Sequence, residues 1–258
     1  DYASGPVSAS VDFDLGGDFA TKGSDGVADG DPTLEEAIIT YDFGNGASVT
    51  YGKMLSYLGF EAYDPINMYQ YSTAYESIDG IYDGYAVGAS VDYANDMFSV
   101  GVWSSLSNSP DLEYALAFTG VENLTVKAIV ADYGKDSISS LNLKGKSTFW
   151  ASYQLGKLLL AAEVAEAEAA TATDTELDGF LIMGNYAFTD KVGLTLRYSE
   201  SEKSVGGVTS YEDEKITISP SYVFNDNLSG LIEYSTFDSG SFTKAISDYM
   251  AVELIYTF

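Results

Sequence analysis

Carboxylates are the most plentiful reactive groups in this chain. Adjacent pairs such as Glu35-Glu36 and Asp213-Glu214 have the residue types that glycoside chemistry uses. With 39 Asp+Glu in 258 residues, however, such pairs arise by chance, and none is assigned as catalytic. His and Cys are absent. That removes the imidazole general base, every Ser-His-Asp or Cys-His relay, the reactive thiolate, the disulfide and the Cys/His metal centre. The chain is therefore not expected to be an enzyme. The stretch GSDGVADGDPT places Asp25, Asp29 and Asp31 among glycines. Oxygen-rich loops can hold Ca2+, but the spacing misses the EF-hand pattern. A solvated acidic loop is the better reading, and calcium is the one cofactor in question.

What remains is a set of charges at alternate positions in otherwise apolar or small-residue stretches: Asp12, Asp14, Glu36, Glu113, Glu163, Glu233 and Glu253 against Lys127, Arg197 and Lys215. Their meaning depends on the elements that carry them. Alternation is visible in PVSASVDFDL, where Val7, Ala9, Val11, Phe13 and Leu15 share one face and Ser8, Ser10, Asp12 and Asp14 the other. That is a two-faced strand. The pattern recurs along the chain to Met250, Val252, Leu254, Tyr256 and Phe258. Tight Gly-, Asn- and Asp-rich turns (GNG, AND, GVEN, TDK, NDN) alternate with longer polar connections expected at 17–33, 56–79, 104–111, 134–146, 167–177, 200–213 and 236–248. This predicts about 14 strands of about ten residues, with 12–16 as the range, in an up-and-down meander over a single domain, 1–258. Both termini fall on the short-turn side, which requires an even strand count. Two stretches resist the pattern. Residues 165–172 are rich in helix formers, leaving a helical turn open there, and Pro220 on an apolar face suggests a bulge.

No alternating apolar position carries a charge, while the opposite faces are small or polar. Aromatic residues gather beside the tight turns: Phe43, Tyr93, Phe118, Tyr153, Phe188, Phe224 and Tyr256. No stretch of about 18 apolar residues forms a transmembrane helix. Hydrocarbon offers no hydrogen bonds, so a sheet that spans it must close on itself. The expectation is an all-β, closed antiparallel transmembrane barrel, apolar outside, with an aromatic girdle and a polar lumen. About 14 strands leave a narrow aqueous pore unless a loop plugs it. The 12 Lys+Arg against 39 Asp+Glu give a net charge of -27, which argues against a nucleic-acid partner. With 46% hydrophobic and 14% aromatic residues, the chain is too apolar for disorder.

The ending AVELIYTF, with Tyr256 two residues before Phe258, resembles the last strand of bacterial outer-membrane barrel proteins. In those families that strand is the signal read by the barrel-insertion machinery, so Tyr256 and Phe258 are the implied assembly signal. The stretch YGKMLSYLGFEAYDP (51–65) is similar to the GKF…P-L-G-x-E stretch of a porin family of small barrels. Here Met54 stands for the usual aromatic, and Ser56-Tyr57 interrupt the expected proline. The resemblance implies a bacterial outer-membrane location, with a signal peptide already removed. It implies passive solute passage without a catalytic centre, surroundings of outer-membrane lipid and lipopolysaccharide, and either a monomer or a homo-oligomer.

On this frame the ten alternate charges are expected to line the pore, and their acidic excess predicts a cation preference; the bland alternative is that they only brace the wall. The connection 56–79 is the longest and most aromatic. It is expected to fold inward and constrict the pore, through Glu61, Tyr63, Asp64, Tyr69 and Tyr71, or to cap the rim. The rival function is a non-conducting barrel that binds a surface partner through its acidic loops.

Overall fold

The computed structural model describes residues 1–14, 33–61, 68–76, 78, 80–134, 143–169, 174–239 and 248–257. Every regular element among them is a strand: β1 (Tyr2–Ser4), β2 (Val7–Asp14), β3 (Thr33–Asp42), β4 (Ala47–Leu55), β5 (Tyr85–Ala94), β6 (Phe98–Ser105), β7 (Leu112–Val121), β8 (Leu124–Asp132), β9 (Leu143–Leu155), β10 (Leu158–Ala169), β11 (Thr175–Ala187), β12 (Val192–Val205), β13 (Val208–Asn225), β14 (Leu228–Ser239) and β15 (Tyr249–Tyr256). Each pairs antiparallel with its neighbours in sequence, in one 15-stranded sheet without a crossover. The odd number comes from β1, three residues that double back on β2 through Gly5-Pro6.

Alternation sorts the two faces as the physics of a lipid-embedded sheet requires. Outward positions such as Val11, Ile39, Leu116, Val164, Ile182 and Ile232 are exposed, whereas Glu113, Glu163, Arg197, Lys215 and Glu233 face inward and are buried. Ile182 is 51 % exposed and Arg197 2 %, the reverse of a water-soluble fold. Outward aromatics stack edge-on beside the tight turns: Tyr41 on Phe43 at 5.0 Å, Tyr186 on Phe188 at 4.9 Å and Tyr222 on Phe224 at 5.0 Å. Amphipathic rings in such a belt suit the boundary between hydrocarbon and water.

Three local expectations are corrected. The segment 200–213 is not a long loop. β12 and β13 continue through it and turn at Gly206-Gly207, both with positive φ. Its outward residues Glu200, Glu202, Glu212 and Glu214 stand opposite one another across the hairpin. A strand that rises clear of hydrocarbon needs no apolar outer face, so it loses the periodic signal. Residues 165–169 are strand rather than helix, because the alanines at 165, 167 and 169 fill an inward face where larger side chains have no room. Pro220 produces no bulge. β13 pairs with β14 at Ile218↔Tyr234 and again at Ser221↔Leu231 in the same register, with the ladder interrupted between them, as a missing N–H requires. The register shift lies further on, between Val223 and Asn225.

Candidate functional site

Between β4 and β5 the described residues 56–61, 68–76, 78 and 80–84 turn into the lumen and follow the inner wall. The first of them reach β7, where Glu113 accepts the Ser56 hydroxyl and the Tyr57 amide, each at 2.8 Å. The Tyr57 hydroxyl donates to Asp92 on β5 at 2.6 Å, and Lys127 on β8 lies over the Tyr57 ring at 5.6 Å. The Gly59 amide donates to Thr148 on β9 at 3.1 Å, and the Phe60 amide to Glu163 on β10 at 2.5 Å. Further on, the Thr195 hydroxyl of β12 donates to the Tyr69 carbonyl at 2.9 Å, and Ser199 to the Ala74 carbonyl at 3.0 Å. The Ser72 amide donates to Glu233 on β14 at 2.9 Å. Backbone amides and carbonyls of an irregular segment must find partners once buried. Here the side chains of the wall supply them.

Three ion pairs fix the same segment. Arg197 Nη1 lies 2.5 Å from Glu61 Oε1, Lys215 Nζ 2.8 Å from Glu76 and Lys146 Nζ 2.5 Å from Asp83. Glu61 also accepts from Gln70 at 2.7 Å and from the Ala74 amide at 2.6 Å. Arg197 and Lys215 both reach the Ser72 hydroxyl, at 3.2 and 2.6 Å, and that hydroxyl donates to Glu233 at 2.5 Å. Each buried charge thus has an opposite charge or a set of dipoles. An apolar seat completes the docking. Ala74, Tyr75, Ile78 and Ile81 pack on Ala161, Ala165, Ala167, Leu177, Leu181 and Met183 of β10 and β11. Gly179 leaves room for the Tyr75 ring, since a Cβ there would lie 2.8 Å from it. Burial is the largest cause pushing the Tyr75 and Tyr82 phenols well above their ordinary range. Tyr82 therefore stays protonated and donates to Glu163.

The alternate charges whose side chains are described stand at inward register positions, in different settings. Glu113, Glu163, Glu233, Arg197 and Lys215 are buried beneath the segment 56–84, and Lys127 is half-buried beside Tyr57. Asp12 and Glu36 are direct cross-strand partners on β2 and β3, and Glu253 lies on β15 opposite Leu231. Of the loop candidates, Glu61 is buried, while Tyr69 and Tyr71 are exposed. Tyr63, Asp64, Asp25, Asp29, Asp31, Phe258 and the Asp14 side chain lie outside the described residues. Among the described residues no group of three or more acidic side chains is arranged to hold a metal ion. The sequence reading missed Lys146, Glu76, Asp83 and Ser72. Lys146 was hidden at the end of an expected loop, although Lys146, Thr148 and Trp150 extend the inward series of β9. Glu76, Asp83 and Ser72 sit in irregular chain, where no periodicity marks them.

The family model described as phosphate-selective porin O and P matches residues 3–147, more than half of the chain. The chain belongs to that family. As a porin it is a passive channel of the bacterial outer membrane. Solved structures similar to this porin are outer-membrane barrels. A loop L8 deletion mutant of OmpT from Vibrio cholerae superposes with a TM-score of 0.70 at 15% identity, covering 88% of this chain and 80% of that one. OmpF of Salmonella typhi, in complex with daunomycin, gives 0.66 at 18% identity, covering 88% and 79%. An anion-selective porin from Comamonas acidovorans gives 0.63 at 12% identity, covering 87% and 74%. No curated protein matches the porin by sequence. The fold is thus the closed antiparallel barrel, with the β4–β5 connection inside it.

Proposed function

We propose that this porin passes small hydrophilic solutes and ions by diffusion, with a preference for cations, and that the segment 56–84 sets its constriction. The observation that carries the preference is the state of the inner-face charges. Lys146, Arg197 and Lys215 are each matched by a loop carboxylate, while among the described residues Asp12 and Glu253 make no ion pair. A carboxylate in a narrow passage raises the local cation concentration. By likeness to a Vibrio cholerae OmpT structure titled as a trimer form, the porin is proposed to form homo-oligomers.

A second reading has its own support. The family is named for phosphate selectivity and one structural neighbour is titled anion-selective; Arg197 and Lys215 stand on adjacent strands. On that reading the two cations would draw anions in.

Purified porin in a planar bilayer under a KCl gradient separates these readings. Discrete conductance steps with a reversal potential on the K+ side are expected. A reversal potential on the chloride side transfers the assignment to the second reading. Absence of steps from correctly folded protein rejects the channel and favours a barrel that serves only as a surface scaffold.

A further inference from the structure

The inner wall has two unlike halves. Along β12 to β14 a run of its polar residues is sealed: Thr195, Thr217, Ser219, Glu233 and Ser235 are 0 % exposed. The segment 56–84 lies on this half and returns along it, from Glu113 on β7 to Glu233 on β14. Along β2 to β4 the inner face is open. Asp12 is exposed, and Ser10, Thr40 and Thr50 are only half-buried. The hydroxyls of Thr40 and Thr50 bond each other across the β3–β4 pair at 2.8 Å. On β15, next to the sealed half, Glu253 is likewise half-buried.

We infer that the conducting route is eccentric, confined to the half of the lumen bounded by β15 and β1 to β4, and that Arg197, Lys215 and Lys146 are excluded from it. This rests on the channel reading above and deepens it. The charge inventory follows from the register. Asp12 and Glu36 face inward on β2 and β3, and Glu253 on β15. Lys53, the sole cation of these strands, pairs with Ala37 and Val87 on the outward face. Among the described residues, the inner face of β1 to β4 and β15 therefore carries carboxylates and hydroxyls but no Lys or Arg. Arg197, Lys215 and Lys146 lie on the other half, each on a loop carboxylate and at least one loop carbonyl. They are anchors of the segment and do not meet the solute. On the segment Tyr69 and Tyr71 are exposed while Gln70 and Ser72 between and beside them are buried, so two phenol rings are open to solvent. The permeant class that fits hydroxyls, carboxylates and ring faces is the hydrated or organic monovalent cation.

The absence of cysteine makes the test clean. Single Thr50→Cys and Ser10→Cys variants report on the open half, and Thr217→Cys and Ser199→Cys on the sealed half. Each is checked for heat-modifiable gel mobility, then treated with a cationic or an anionic methanethiosulfonate, and modification is read by mass as well as by conductance. Thr50→Cys and Ser10→Cys are expected to react and to lose conductance. The cationic reagent should react about tenfold faster or more than the anionic one, the scale of electrostatic focusing in a charged cleft. The sealed positions should stay unmodified until the protein is heat-denatured. Equal reactivity of the two halves, silence at Thr50 and Ser10, or faster reaction with the anion would each overturn the inference. Mass detection works without current, so a non-conducting porin would reject the channel while these labelling rates still judged the route.

Discussion

Arg197 and Glu61 form a buried ion pair, Nη1 to Oε1 at 2.5 Å, between the wall of the barrel and the segment folded inside it. The same guanidinium reaches the Ser72 carbonyl at 2.7 Å, the Thr73 carbonyl at 3.3 Å and the Thr217 hydroxyl at 3.0 Å. One strand residue thus holds two separate stretches of the loop.

Removing one member of such a pair leaves the other charge buried without its partner, at a cost of about 3–5 kcal/mol. Arg197→Met is therefore expected to unseat the segment, with larger and noisier single-channel currents and faster proteolysis of the loop in the folded barrel. The double variant Glu61→Gln with Arg197→Met should recover part of the loss. A double-mutant cycle on the rate of loop cleavage measures the coupling.

The seat of the loop can be disturbed without touching a charge. Gly179→Val would drive a side chain into the Tyr75 ring and against Ile81, with overpacking worth about 1–3 kcal/mol. Expected outcomes are looser loop protection by hydrogen exchange and raised conductance, with the sign of ion preference kept. An unchanged exchange pattern would count against the docking described.

On the outer face, Ile182 lies between Ala162 and Tyr198 in the apolar band. Ile182→Arg should destabilise the folded barrel by about 2–4 kcal/mol if it sits near the midplane. Urea unfolding in lipid vesicles would show it, whereas Thr50→Arg on the inner face should assemble normally.

Neutralising Asp12 and Glu253 together (Asp12→Asn, Glu253→Gln) should reduce the cation preference while leaving heat-modifiable mobility intact. The measurement is the reversal potential at low and high salt. The difference between variant and parent should shrink as ionic strength screens the lumen.

The barrel was legible because a strand between lipid and water must alternate, and the turns at one end are short enough to carry their own residue signatures. Val7 to Asp14 shows both faces within eight residues. Legibility failed where the physics that produces alternation stops. Above the hydrocarbon, Glu202 and Glu212 are free to face outward as cross-strand neighbours, so the tall β12–β13 hairpin read as a loop. The inward charges Arg197, Lys215 and Glu233 could be placed on a face by parity. Their partners could not, because Ser72 and Glu233 stand 161 positions apart and meet only once the sheet has curled. The alanines of β10 looked helical by composition, and only the rings packed over them explain their size.

The inner segment has a mechanical consequence. From β7 to β14 the cylinder is two plies thick, and the plies are riveted by side chains. From β15 round to β6, among the described residues, it is mostly a single ply of backbone. Lateral pressure from the bilayer should therefore flex the thin side first, so that any breathing of the aperture is a movement of the hydroxyl-bearing strands against a rigid backing.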